Sequence, residues 1–263
     1  MKNIYKKSLT LIFILISIFI LVNLKYIFNA KDEIPNSLRV ATFNSFGMID
    51  EIDDIKNYLV DNKIDIIGFQ EVNYINDYQK IKSNTINYVK NFPTGYYFKP
   101  NYGEMIATKF HIADSKYFNM PDSTPEPRIL TRSIFDFNGK KISFYITHLN
   151  ASNSNIDRNN QVYFILNTLN NDTNKYKILV GDFNFRNKNE FNIFLDNGYK
   201  IVNGKDDKWF STYKGYDKEI WGNSSLDNII VSSNIIINNI KMETQYLQKS
   251  DHNLLYADIL LDS

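Results

Sequence analysis

The run "ILVGDFN" at residues 178–184 carries three apolar residues into Gly181, then presents a carboxylate and a carboxamide two positions apart. On an extended chain Asp182 and Asn184 share one side while Phe183 faces the other. Gly181 leaves room for another group to approach the backbone. Asp and Asn also form turns, so this stretch alone is no site. Other strands end the same way. "ATFNS" closes an apolar run in Asn44, "IIGFQE" in Glu71, and "YITHLN" in His148 and Asn150. "SSLDNII" carries Asp227, and "SDHNLL" carries Ser250, Asp251 and His252. Each one alone is more often a cap or a solvated strand residue than a catalyst. Six apolar strands delivering such groups are a different matter, because burying them near one rim is costly unless they serve a shared site. The chain has no cysteine, so a metal there must be held by oxygen or by His111, His148 or His252. Oxygen-rich sites suit magnesium, calcium or manganese better than zinc.

These residues must be positioned by the elements that carry them. "LRVATFN" (38–44) reads as a strand, "DEIDDIKNYLVDN" (50–62) as an amphipathic helix with acids at its N-terminus, and "IDIIGFQE" (64–71) as a buried strand. A helical stretch is expected over 74–91, then short strands "YYFKP" (96–100) and "EMIATKF" (104–110). Residues 113–128 contain three prolines and read as a surface loop. Residues 131–150 read as a hairpin turning at Asn138-Gly139, 156–170 as a helix and 176–184 as a strand; the last strands are 226–232, 235–245 and 254–261. No repeat or Gly/Ser linker divides this series. One layered α/β (α+β) domain over 38–263 follows.

The 263 residues, 43% apolar and 15% aromatic, suffice for one large core. The N-terminus differs from the rest. Lys2, Lys6 and Lys7 precede the apolar run Leu9–Val22, and no acidic residue occurs before Asp32. Residues 8–28 together are long enough to span a bilayer. The Phe28-Asn29-Ala30 segment is a poor cleavage site, so an uncleaved transmembrane signal-anchor is expected, with a cleaved, secreted form as the alternative. The lysines place residues 1–7 in the cytoplasm and the domain beyond the 29–37 linker outside it. Without Lys2, Lys6, Lys7 and Lys25 the net charge is about −3, and no long basic run appears. Tight, charge-driven nucleic-acid binding is not expected.

In order and context, "GDFN" and the terminal "SDH", supported by "QE" and "THL", resemble the endonuclease/exonuclease/phosphatase superfamily over residues 38–262. That superfamily includes pancreatic-type deoxyribonucleases, abasic-site endonucleases, inositol polyphosphate phosphatases and neutral sphingomyelinases. The resemblance implies a four-layer α/β/β/α sandwich of two packed mixed sheets, and metal-dependent hydrolysis of a phosphoester. It assigns Glu71 to a divalent metal, most naturally Mg2+ with Mn2+ or Ca2+ as alternatives, with Asn44 organising it and Asp251 a second candidate ligand. Asp182 would orient and deprotonate the attacking water, and Asn184 would donate a hydrogen bond to water or phosphate. His148 and His252 would donate to phosphate oxygens or assist proton transfer, with Asp227 fixing the tautomer of His252. His111 matches no motif and reads as a surface residue.

Two positions depart from the family pattern. Phe46 stands where many nucleases carry a second acidic ligand, and Asn228 where an aromatic is frequent. The aromatic loops 90–105 and 208–223, the latter with Trp209 and Trp221, could stack on bases, meet lipid headgroups or fill the core. Lys99, Arg128, Arg132 and Arg158 are scattered candidates for guiding a phosphate. The expected partner is thus a phosphoester, either nucleic acid or phospholipid, met by a monomeric, membrane-tethered chain. A catalytically inactive binding protein on the same fold is the remaining alternative, and the intact polar set argues against it.

Overall fold

Alternating apolar residues build the strands, and their alternation decides which polar groups meet. The structure, a computed structural model, describes residues 36–47, 52–73, 78–94, 102–122, 124–151, 155–207, 209–215, 224–245 and 247–262. In chain order come β1 (Leu38–Gly47), α1 (Ile52–Asp61), β2 (Ile66–Asn73), β3 (Tyr88–Pro93), β4 (Tyr102–Thr108), β5 (Asp114–Asn119) and β6 (Ile129–Phe137). Then follow β7 (Lys140–His148), α2 (Asn155–Asn170), β8 (Tyr176–Asp182), α3 (Asn192–Asp196) and β9 (Tyr199–Ile201). The last strands are β10 (Asp227–Ser232), β11 (Ile235–Met242) and β12 (Leu255–Leu261).

The strands form two six-stranded sheets, in the orders β11-β12-β1-β2-β4-β3 and β5-β6-β7-β8-β10-β9. Each is mixed. β1 and β2 run parallel in one, β7 and β8 in the other, and the remaining pairs are antiparallel. Leu38, Val40 and Ile66 of the first sheet share one buried core with Phe144, Ile146, Ile178, Val180 and Ile229 of the second. On the outer faces, Ile55 and Leu59 of α1 cover Ala41, Phe43, Ile67 and Phe69, while Val162 and Ile165 of α2 cover Tyr145, Leu179 and Phe183. The layers are therefore helix, sheet, sheet, helix, as expected.

The inner-facing positions are even-numbered in β1, β7 and β8 and odd-numbered in β10. Continuing each alternation turns Asn44, His148, Asp182 and Asp227 into the space between the sheets. All four lie at one rim, because β1, β7 and β8 end there and the antiparallel β10 begins there. Glu71 breaks the rule, since alternation would turn Gln70 inward and Glu71 out. An irregularity in the pairing of β2 with β4 between Phe69 and Val72, with Glu71 at φ 57°, resets the facing of the chain. Gln70 keeps its inward facing, accepting from Thr42 Oγ1 and donating to the Gly68 carbonyl.

The structure corrects two expectations. The helix expected over 74–91 is one short turn at Tyr78–Ile81 followed by the edge strand β3; residues 74–77 lie outside the described residues. The Ser83 hydroxyl accepts from the backbone N–H groups of Thr85 and Ile86, which favours a turn over a helix. The loop expected over 113–128 contains β5, paired along its whole length with β6, and its three prolines all follow that strand. The Asn138-Gly139 hairpin is as expected, with φ of 54° and 78°. The strand expected at 96–100 and the apolar segment 8–28 lie outside the described residues. Among the described residues no helix is long and apolar enough to cross a membrane.

Gly181 sits where β8 pairs with both Thr147 of β7 and Asn228 of β10. A Cβ there would lie 2.1 Å from the Thr147 carbonyl oxygen, a contact that only backbone movement relieves. Gly181→Ala is expected to cost about 1–3 kcal/mol or more, read as a lower melting temperature. Turnover should fall with it, because the same movement separates His148 from Asp182.

Candidate active site

Asp182 Oδ2 is the point on which the rim residues converge. The Asn44 side-chain amide donates to it at 3.0 Å and to Glu71 Oε1 at 3.0 Å, bridging the two carboxylates. His148 Nε2 lies 3.5 Å from Asp182 Oδ2 and 3.9 Å from Glu71 Oε1. His252 Nε2 approaches the same Asp182 oxygen at 3.6 Å. Its Nδ1 is 2.7 Å from Asp227 Oδ2, so a fully buried carboxylate orients the ring. Ser250 fixes the approach of that segment, donating from Oγ to the Asn44 carbonyl at 2.7 Å and accepting from the His252 backbone N–H at 3.0 Å. Tyr213 packs edge-on against the His252 ring, with centroids 5.2 Å apart.

The other expected residues are placed less uniformly. The Asn184 backbone N–H donates to Asp182 Oδ1 at 2.9 Å, while its side-chain amide donates to the Leu149 carbonyl at 2.9 Å. With φ at 50°, Asn184 turns the chain after β8 and braces it against the end of β7. Asp251 stands at the edge of the cluster, its Oδ1 3.9 Å from His252 Nε2. Asn150 is not part of the cluster. Its amide bonds Asp122 and Thr124 and ties that loop to β7. Asn228 is a brace, exchanging hydrogen bonds with the Asn203 backbone. Phe46 is 62% exposed beside Asn44, at φ 45°. His111 is exposed and packs on Tyr88, as a surface residue.

Of the scattered cations, Arg132 pairs with Asp114 and Arg158 donates to the Asn150 carbonyl, while Lys99 lies outside the described residues. Arg128 reaches the site, with Nη1 3.0 Å from His148 Nδ1. No motif surrounds it, so nothing local in the sequence singles it out as a partner of His148. Arg128, Glu71, Tyr102, Glu104 and His148 line a small cavity.

Burial sets the charge states. It pushes the Asp182 carboxyl above the usual carboxylate range, with the Asp227 charge adding to the effect and His252 and Asn44 opposing it. For His252 burial opposes the charged ring, but the carboxylates of Asp227 and Asp182 outweigh it and raise the imidazole. His148 goes the other way, lowered by burial and then by Arg128 and His252.

Asp182, Asp227 and His252 bring potential ligand atoms within 4.8 Å of one another. Two of the three are already engaged with each other through Asp227 Oδ2 and His252 Nδ1. Glu71 and Asp251 have side chains 22% and 25% exposed, and Asp251 Oδ1 has no hydrogen-bond partner among the described residues. These hard oxygens fit a divalent cation of the magnesium or calcium kind.

Glu104 offers a test of the electrostatics that is independent of catalysis. Burial raises its carboxyl well above the usual value, against the pull of Arg128 and a backbone hydrogen bond from His148. A carboxyl raised on folding binds more protons in the folded chain, so it costs stability as pH rises through and above its unfolded value. Glu104→Gln removes that slope and keeps an acceptor. Its melting temperature relative to the parent is expected to improve between pH 5 and pH 8, and a constant difference would contradict the assignment.

Residues 41–252 match the model of the Endonuclease/Exonuclease/phosphatase family. No curated protein sequence matches the chain. Among solved structures, a family member from Bacteroides vulgatus is 19% identical with a TM-score of 0.68, covering 86% of this chain and 99% of that one. A mannosyl-6-phosphatase from Bacteroides thetaiotaomicron is 17% identical with a TM-score of 0.68, covering 86% and 100%. TDP2 from D. rerio, complexed with a single-stranded DNA product, is 19% identical with a TM-score of 0.70, covering 85% and 98%. At these identities the structural likenesses show a shared fold. With the family match spanning most of the sequence, the chain belongs to the endonuclease/exonuclease/phosphatase family, whose members are metal-dependent phosphoester hydrolases.

Proposed function

We propose that this chain hydrolyses a phosphodiester by attack of water on phosphorus, at the cluster centred on Asp182. The observation that carries the reading is the convergence of Asn44, His148 and His252 on one carboxylate oxygen. Asp182 orients the water and takes its proton. His252, oriented by Asp227, donates to a phosphate oxygen, and His148 donates to another. Asn184 holds Asp182 in place through its backbone N–H. Glu71 and Asp251 hold the divalent cation, most naturally Mg2+, with Asn44 fixing the Glu71 carboxylate. When bound there, such a cation neutralises charge building on the phosphate oxygens. The proposed site needs no residue from a second copy, and a monomer is the working unit we assign.

Nucleic acid is the first substrate class we assign, with the domain held outside the cytoplasm by residues 8–28. That location rests on the apolar run and the lysines before it. A phospholipid is the second reading, favoured by a specific observation: Arg39, Arg128, Arg132 and Arg158 all make contacts within the protein. Those arginines form no basic track for a nucleic-acid backbone. The full chain in detergent, assayed with magnesium against plasmid DNA, sphingomyelin vesicles and a soluble phosphomonoester, separates the classes. Cleavage of DNA supports the first reading and cleavage of the lipid alone the second. Turnover of the monoester alone would overturn both.

A further inference from the structure

The two histidines at Asp182 have partners of opposite chemistry at Nδ1. For His252 the partner is a carboxylate oxygen, Asp227 Oδ2, at 2.7 Å. An ionised carboxylate only accepts, so Nδ1 of His252 carries a hydrogen. For His148 the partner is Nη1 of Arg128, at 3.0 Å. A guanidinium only donates and does not lose its proton in proteins. Nδ1 of His148 must therefore present its lone pair, which leaves the ring hydrogen on Nε2. That atom faces two acceptors, Asp182 Oδ2 at 3.5 Å and Glu71 Oε1 at 3.9 Å.

Arg128 is built into this place. It is 5% exposed, and Glu126 Oε1 lies 3.4 Å from the nitrogen that meets His148. Glu104 lies beside it in the same cavity and accepts the backbone N–H of His148. The guanidinium is thus held between β4, β6 and the end of β7.

We propose that Arg128 is a positioning residue that locks His148 in the Nε2–H tautomer, making it a fixed neutral donor to a phosphate oxygen. The catalytic meaning of the lock rests on the hydrolase reading, but the tautomer itself does not depend on any substrate.

The chain has three histidines, so selective 15N-histidine labelling of the full-length protein in detergent gives a readable spectrum. His148→Gln identifies the signals of His148 by their loss. The expected signature at neutral pH is an unprotonated Nδ1 and a protonated Nε2. Arg128→Met keeps bulk but removes the donor, and should blur that signature towards a mixture of tautomers. Arg128→Lys restores a donor and should restore the signature with most of the rate. His148→Ala is expected to lose about 10²–10³-fold in turnover, and His148→Gln, with an N–H donor near the place of Nε2, should recover part of that loss.

An Nδ1–H or doubly protonated His148 in the parent protein would overturn the proposal, as would an Arg128→Met spectrum identical to the parent's. If Arg128→Met does not fold, the parent spectrum alone decides. Equal loss in His148→Gln and His148→Ala would also count against a donor role. Failure of the hydrolase reading would show separately, as no turnover of any phosphoester with the His148 signature intact.

Discussion

Asp182→Asn should slow the chemical step by about 10²–10⁴-fold and leave the fold nearly as stable as before. The substitution keeps the shape and an oxygen for the Asn184 backbone N–H, but removes the charge, the proton acceptor and the oxygen that accepts from the Asn44 amide. Stability should change little, because burial already disfavours the ionised carboxylate at this position. The lost attraction to His252 and the lost hydrogen bond from Asn44 are offset by relief of that burial cost. Turnover and melting temperature measured on the same variant make the test. Normal turnover with a lowered melting temperature would reduce Asp182 to a strand terminus.

The second large effect is expected at Glu71. Its carboxylate is fixed by Asn44 and stands at the more open side of the cluster. Glu71→Gln retains size and the bulged backbone but replaces a strong hard ligand with a weak one. Loss of outer partners alone commonly costs about 10–100-fold in metal affinity, and a ligand should cost at least as much. The magnesium concentration for half-maximal rate should therefore rise by at least that factor, with part of the rate recovered at high magnesium. An unchanged magnesium dependence would remove Glu71 from the metal site.

Much of the site is legible in the sequence because alternation is a strict rule. Asn44, His148, Asp182 and Asp227 follow from their strands by counting in twos, and the apolar runs before them identify the inner face. Glu71 does not follow from counting, since a bulge decides its facing. Counting also predicts that Asn184 points with Asp182 into the site, yet the strand ends at Asp182 and the Asn184 amide meets the Leu149 carbonyl. Arg128 is hidden as a partner of His148 because residues 113–128 read as a loop, whereas the β6–β7 ladder runs up to Leu130 opposite Thr147 and sets Arg128 beside His148. The edge strands β3 and β5 escape the sequence for a related reason. Their residues are largely exposed or half-buried, so they lack the apolar signature of the central strands, and neighbouring β4 and β6 supply the pairing that defines them.

Metal-dependent phosphoester hydrolysis at this cluster is tested most directly by one titration. The full chain is depleted of metal with excess chelator, assayed on the phosphoester it turns over, and then given back magnesium in steps. Turnover should vanish in chelator and return with magnesium in the parent protein, while Asp182→Asn stays about 10²–10⁴-fold slower at every magnesium concentration. Full turnover in excess chelator, or an Asp182→Asn variant that matches the parent once magnesium is restored, would contradict hydrolysis by this site.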